Sequence, residues 1–166
     1  LEIRQGAGTF VRASSELGGA LRRRLKRSEL RESFEVRRAL ELEAARLAAL
    51  RHTDDDLAAI DTAIGERLAA WRSRDMQAFV EADFAFHKAV VAATHNSLLI
   101  ELYDDIAQAV YESIAHAVYE EAPETLAQDP ALDHQRLADA IHAGDADGAL
   151  REAACYLDEL VTQAGP

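Results

Sequence analysis

Residues 76–94 read MQAFVEADFAFHKAVVAAT, and the periodicity of this segment indicates the fold class. Placed on a wheel at about 100° per residue, its large apolar side chains fall on one face, which is typical of a helix packed on a core. Asp83 and His87 lie inside that face. They are four residues apart, so both side chains project from neighbouring turns. The stretch therefore predicts an amphipathic helix that buries two polar side chains.

The same periodicity runs along most of the chain, with short breaks at capping residues. Thr53, Asn96 and Asp145 are expected to cap helices, and Gly144 to end one. Since the connections are short, successive helices should be antiparallel neighbours. The predicted fold is all-α, a six- or seven-helix antiparallel bundle. The predicted helices are about Glu16–Arg27, Glu29–Arg51, Asp54–Arg72, Met76–Thr94, Ser97–Glu121, Leu132–Ala143 and Ala146–Gln163.

Residues 1–12, LEIRQGAGTFVR, differ from the rest of the chain. Two short strand-like runs flank a glycine-containing turn, which indicates a β-hairpin. Two strands are rarely stable without a sheet or helix to pack on. We therefore expect the hairpin to be the end of another domain and the chain to be a piece of a longer protein.

Composition and charge narrow the function classes. The single cysteine, Cys155, excludes an internal disulfide. No apolar run is long enough to cross a membrane, and no signal segment is evident, so a cytoplasmic protein without membrane partners is expected. Residues 1–38 hold 10 basic and 5 acidic residues, whereas the whole chain carries −12. The remainder is too acidic to bind nucleic acid, so any DNA contact lies towards the N-terminus. The basic run at 21–27 can equally be a solvated helix face.

Asp83 and His87 suit two roles. Oxygen and nitrogen donors at this spacing can bind a divalent cation, or they can form a simple hydrogen bond inside the core. His134 repeats the pattern, because it shares an apolar face with Leu137 and Ile141. Potential ligands on the inner faces of two separate helices favour a shared metal site over isolated core residues.

Three further polar residues are candidate contacts for a bound effector. Arg37 lies within the apolar stripe of its helix, where its guanidinium can clamp a carboxylate guest or pair with Glu41, four residues on. Tyr156 lies on the apolar face of the last helix, as a core tyrosine or as a contact to the guest. Asn96 is most simply a cap, and we include it among the candidate effector contacts.

The order of these motifs resembles the GntR superfamily of regulators, FadR-like subgroup, whose C-terminal effector domain is the FCD domain. The resemblance covers nearly the whole chain. The end of a DNA-binding wing is matched by QGAGTFV, the opening of the effector domain by FEVRRALELEAARLAA, and an Asp-x-x-Phe-His motif is followed by an Asn. The matching stretches are Gln5–Val11, Phe34–Ala49, Asp83–His87 with Asn96, His134 with Ala140–Ile141, and Gly144–Asp145.

The resemblance implies a bundle that dimerises around a central divalent metal of the zinc, nickel or manganese type, held by one Asp and three His. Asp83, His87 and His134 take three of these positions. The remaining histidine is replaced by Tyr156, whose phenol is a poor ligand near neutral pH. The implied domains are a wing at 1–12, which includes Arg4, Gly6 and Gly8, a linker helix at 13–28, and the FCD domain at 29–164.

The sequence thus predicts the sensing and dimerisation domain of a transcription regulator, not an enzyme. A small organic acid would bind in the bundle cavity, and operator DNA would bind to a domain upstream of this chain. One alternative is a metal-free bundle in which the polar residues only form a core network. Another is a metal enzyme. The paired Glu-x-x-His motifs of di-iron bundles do not occur in the sequence, which leaves a mononuclear centre as the enzyme alternative.

Overall fold

The computed structural model describes residues 2–4, 8–10, 30–120 and 131–163. Within these ranges there are six helices and a two-stranded hairpin. The predicted first helix, the 13–28 linker and Gly6 lie outside the described residues. In chain order the elements are β1 (Glu2–Arg4), β2 (Gly8–Phe10), α1 (Leu30–Arg51), α2 (Asp54–Ser73), α3 (Met76–Ala92), α4 (Ser97–Glu120), α5 (Ala131–His142) and α6 (Ala146–Gln163).

The hairpin pairs β1 and β2 antiparallel, with Arg4 opposite Gly8 and Ile3 opposite Thr9. The all-α expectation holds for the remainder of the described chain. Five of the six helix boundaries agree with the sequence prediction to within one residue at each end. The exception is the end of α3, which stops at Ala92 instead of Thr94. The Thr94 hydroxyl donates to the Val91 carbonyl, and His95 takes a left-handed conformation with φ 49°.

Local capping explains these boundaries. Thr53 caps α2 in a capping box, since its hydroxyl accepts from the Asp56 amide while the Asp56 carboxylate accepts from the Thr53 amide. Asn96 caps α4, where its side-chain oxygen accepts from the Leu99 amide at 3.3 Å. Gly144 has φ 67°, a conformation in which a side chain would be strained, and it ends α5. These helix ends are therefore set by two or three neighbouring residues each.

Helix α1 lies at the centre of the bundle, because it packs against α3, α4, α5 and α6. Its buried stripe holds Ala44, Ala45, Ala48 and Ala49, each no more than 3% exposed. Small side chains let the neighbouring helices approach closely, so they form a tight Ala-rich half of the core. Earlier in α1 the buried side chains are charged instead of small and apolar. Arg37 and Glu41 lie there, at the level of the polar cluster described next.

Candidate metal centre

The side chains of Asp83, His87 and His134 meet inside the bundle. One donor atom from each lies within 4.8 Å of the others, and all three residues are buried. His87 Nε2 is 3.4 Å from Asp83 Oδ2 and 3.3 Å from His134 Nε2, and His134 Nε2 is 3.3 Å from Asp83 Oδ1. Helix α3 supplies two of these groups from successive turns, and α5 supplies the third across the core.

The three donors suit one divalent cation. Donor atoms that share a tetrahedral ion about 2.0–2.1 Å away are separated from one another by about 3.3–3.4 Å. The distance between the two histidine nitrogens has this length, whereas the histidines contact different oxygens of Asp83, and one donor atom from each of the three residues lies within 4.8 Å of the others. Two imidazoles and one carboxylate are also a common ligand set for zinc and for first-row transition metals. The chemistry and spacing of the donors therefore fit the metal that the sequence resemblance implies.

Arg67 on α2 is a buried member of the cluster that the sequence analysis did not identify. Its Nε lies 2.5 Å from Asp83 Oδ1, and its guanidinium stacks over the Phe79 ring at 4.5 Å. Burial alone would raise the pKa of Asp83, but the charge of Arg67 outweighs it and holds that pKa well below its ordinary value. The missed signal is periodicity, since Arg67 follows Ile60 and Ile64 on the inner stripe of α2.

Arg37 pairs with Glu41 inside the core, with Nε 2.8 Å from Oε1. Of the two roles considered for Arg37, the ion pair is therefore present in this structure. Burial by itself would raise the pKa of Glu41, but the Arg37 charge outweighs it and lowers that pKa to about 2. The Tyr103 hydroxyl donates to the same Oε1 at 2.7 Å, and Ser113 Oγ is 3.5 Å from Arg37 NH1.

His87 is held between charged groups on both sides of its ring. Nδ1 lies 3.2 Å from Glu41 Oε2, an ion-pair contact without the alignment of a straight hydrogen bond. Nε2 lies 2.8 Å from Arg37 NH2. Burial by itself would lower the pKa of His87, but the charge of Glu41 outweighs burial, so the pKa is raised above its ordinary value. The Arg37 contact nevertheless requires an unprotonated Nε2, because a guanidinium only donates. We therefore assign the neutral ring, with its proton on Nδ1.

His134 and Tyr156 stack face to face, with ring centroids 4.9 Å apart and an interplanar angle of 25°. Burial and the Arg67 charge hold the pKa of His134 well below its ordinary value, so the ring is neutral. Its Nδ1 is buried without a hydrogen-bond partner among the described residues. Burial and the Glu41 charge raise the pKa of Tyr156 well above its ordinary value, so the residue is a neutral phenol beside the cluster, not a phenolate ligand.

The other residues proposed from the sequence lie elsewhere. Asn96 acts as the N-cap of α4, as described above, and the contacts of the cluster do not include it. Arg4 and Gly8 face each other across the hairpin, and Gly6 lies outside the described residues.

The sequence matches a known domain family along most of its length. Residues 32–159 match the model of the FCD domain. The chain belongs to the FCD domain family, in the FadR-like subgroup of GntR regulators. Within the described part of the chain, no helix of this FCD domain is both long and apolar enough to cross a membrane.

Curated relatives include two bacterial regulators. The HTH-type transcriptional regulator LutR of Bacillus subtilis is 35% identical over 105 residues, which cover 60% of this chain and 46% of LutR. The galactonate operon transcriptional repressor of Escherichia coli is 45% identical over 65 residues, covering 39% of this chain and 28% of the repressor. The FCD chain thus spans less than half the length of either relative.

Solved structures show the same fold. The Streptococcus agalactiae GntR structure superposes with a TM-score of 0.69 at 25% identity, over 97% of this chain and 73% of that one. E. coli McbR/YncC superposes with a TM-score of 0.67 at 24% identity, over 80% of this chain and 66% of that one. The second likeness concerns the fold alone.

Proposed function

We propose that this FCD domain is the sensing domain of a ligand-responsive transcription regulator, with the polar cluster as its binding site. The observation that carries the proposal is the convergence of Asp83, His87 and His134 beside the buried guanidinium of Arg37. Charged groups are rarely buried in such number without a functional reason, and perturbed titration behaviour inside a bundle is typical of binding sites.

In this proposal, Asp83, His87 and His134 hold a divalent cation, which would add a positive charge that attracts a carboxylate. Glu41 orients His87 by facing Nδ1, the usual role of a carboxylate behind a metal-binding histidine. Arg67 keeps Asp83 ionised through the ion pair described above. Tyr156 adds a neutral hydroxyl that can donate or accept one hydrogen bond.

The proposed effector is a small organic acid. Arg37 is the group best suited to bind its carboxylate, because a guanidinium can donate two parallel hydrogen bonds. One relative is named as the repressor of a galactonate operon, so a regulator of this family is associated with a sugar acid. We extend the chemical class to this chain, without naming the acid.

The regulatory output is proposed to pass through a DNA-binding domain upstream of the sensing domain. Residues 1–12 would be its wing, 13–28 a linker helix and 29–164 the sensing and dimerisation domain. Both curated relatives are named as transcription regulators and extend well beyond the matched region. A homodimer would match the two-fold symmetry of operators. Sedimentation showing only monomer at micromolar concentration would contradict the dimer.

A metal-free sensor is the second candidate, and the charges of the cluster favour it. The buried cations Arg37 and Arg67 are balanced by the buried anions Glu41 and Asp83, so the described cluster is neutral when both histidines are neutral. Such a network is electrostatically complete without a cation. The two candidates differ in one measurable property, the affinity of the chelator-treated protein for divalent ions.

The deciding experiment is titration of the metal-stripped chain with Zn²⁺, Ni²⁺ and Mn²⁺ by calorimetry. A metal sensor should bind one ion per chain, and Asp83→Ala or His87→Ala should lower the affinity at least tenfold. His116→Ala, which changes an exposed histidine of α4, is the matched control and should bind as the unchanged chain does. Absence of saturable binding would contradict the metal part and leave the metal-free sensor.

A further inference from the structure

Three groups surround the single lone pair of His87 Nε2. Arg37 NH2 is the nearest at 2.8 Å, followed by His134 Nε2 at 3.3 Å and Asp83 Oδ2 at 3.4 Å. A neutral imidazole that carries its proton on Nδ1 has one acceptor, namely Nε2. In this structure Arg37 takes that acceptor.

The same nitrogen is one of the three donors that fit a cation. A guanidinium does not lose its proton under ordinary conditions, so Arg37 cannot step aside by deprotonation. Two positive groups cannot both occupy one lone pair, and in a buried site their repulsion is poorly screened. Arg37 and a cation therefore cannot bind His87 Nε2 at the same time.

Resting on the proposed function, we propose that Arg37 is a built-in competitor of the cation at His87 Nε2. Arg37 holds the cation-free cluster together, and it must release Nε2 before that nitrogen can ligate an ion. The guanidinium is rigid and planar, so releasing Nε2 requires the whole group to rotate, and its contact with Glu41 Oε1 must adjust at the same time. Ser113 Oγ, near NH1, is an alternative partner for the released end.

Competition between Arg37 and the cation at His87 Nε2 has two consequences. The cation affinity of the unchanged chain is lower than its three donors alone would produce, because the Arg37 contact must first be broken. The released NH2 group becomes available to a carboxylate guest only after Nε2 has been vacated. Cation and guest should then each favour the binding of the other, since thermodynamic coupling is reciprocal.

The test uses a substitution that keeps every charge. In Arg37→Lys the ammonium can still pair with Glu41, four residues away, but it lacks the planar fork that reaches His87. We expect the full Arg37→Lys chain to bind Zn²⁺ or Co²⁺ at least tenfold more tightly than the unchanged chain, measured against a competing chelator. Cobalt absorption reports the imidazole ligation independently of affinity.

A second variant guards against misfolding of Arg37→Lys. Arg37→Met/Glu41→Gln removes one buried cation and one buried anion together, and it also vacates Nε2. Because it removes the carboxylate that faces His87 Nδ1, its reference is Glu41→Gln, and it should bind the cation more tightly than that variant does. Arg38→Lys, the exposed neighbour that pairs with Asp158, is the matched control and should leave the affinity unaltered.

The outcomes separate this inference from the proposed function. If the unchanged chain binds the cation and neither vacating variant binds it more tightly than its own reference does, the competition is overturned and the metal site stands. If neither the unchanged chain nor the variants bind Zn²⁺ or Co²⁺, the competition and the metal site are both overturned. Tight binding that appears only in the vacating variants would support the competition most strongly.

Discussion

Arg67 and Asp83 form an ion pair inside the bundle, and each side chain is less than a tenth exposed. The pair joins α2 to α3 and holds the carboxylate in the ionised form that a cation would need. A buried ion pair adds little net stability, but breaking it leaves an uncompensated charge in the core.

Asp83→Ala should therefore destabilise the chain by about 3–5 kcal/mol, because it removes the buried carboxylate that pairs with the Arg67 guanidinium. Urea unfolding in the presence of a chelator measures this without any contribution from bound metal. Asp104→Ala is the matched control, since the Lys88–Asp104 pair is about half exposed and should contribute less than about 1 kcal/mol. Equal losses for the two variants would contradict a special role for the buried pair.

Arg37→Ala should weaken binding of an organic acid more than Tyr156→Phe does, when both are measured at saturating cation. Loss of a charge-assisted contact costs about 1.5–3 kcal/mol, whereas loss of a neutral hydrogen bond costs about 0.5–1.5 kcal/mol. Calorimetric titration with a series of small carboxylic acids provides the comparison. The prediction fails if Tyr156→Phe has the larger effect, or if both variants bind as the unchanged chain does.

Tyr156→His should tighten binding of the cation, on the order of tenfold, by adding a third imidazole to the site. The Tyr156 ring already lies against His134 and 5.8 Å from the His87 ring, measured between centroids. Zinc affinity by chelator competition is the measurement. Tyr111→His places a histidine on α4, where Tyr111 packs on Phe84, and controls for non-specific binding. An unchanged affinity in Tyr156→His would show that position 156 does not face the site.

Asp56 should contribute stability that depends on pH. Partial burial would raise its pKa, but hydrogen bonds from Thr53 outweigh burial and the pKa is lowered. A carboxyl whose pKa is lowered in the folded state contributes its full stabilisation of the fold above its unfolded pKa of about 3.9. This contribution is lost as pH falls through the folded pKa. Asp56→Asn should thus cost about 1 kcal/mol at pH 6, and less with each step down towards pH 3.

Denaturant unfolding at several pH values measures the difference between Asp56→Asn and the unchanged chain. Asp55→Asn removes an exposed charge from the same turn and controls for the helix dipole. A difference that stays constant between pH 6 and pH 3 would count against the role of the Asp56 carboxylate.

The helices and their ends were predictable from the sequence by itself. Their signals are local, because an apolar stripe sets the buried face and a cap such as Thr53 or Gly144 satisfies the groups at a helix end. The one helix end that was predicted wrongly is that of α3, after Ala92. It depends on Thr94 and His95, whose backbone conformations cannot be read from the apolar periodicity. Periodicity also identified Asp83, His87 and His134 as polar residues on inner faces.

Which charged groups contact one another depends on the packing of the helices. Arg67 pairs with a residue 16 positions away, and the Tyr103 hydroxyl reaches Glu41 across 62 positions. The phase of a helix tells which side chains point inward, but the rotation and approach of neighbouring helices depend on how the whole core fills its space. The sequence therefore pointed to a polar cavity and its donors. The packing of the six helices brings Arg37 to His87 Nε2. That contact joins α1 to α3, so it depends on how these two helices are positioned relative to each other.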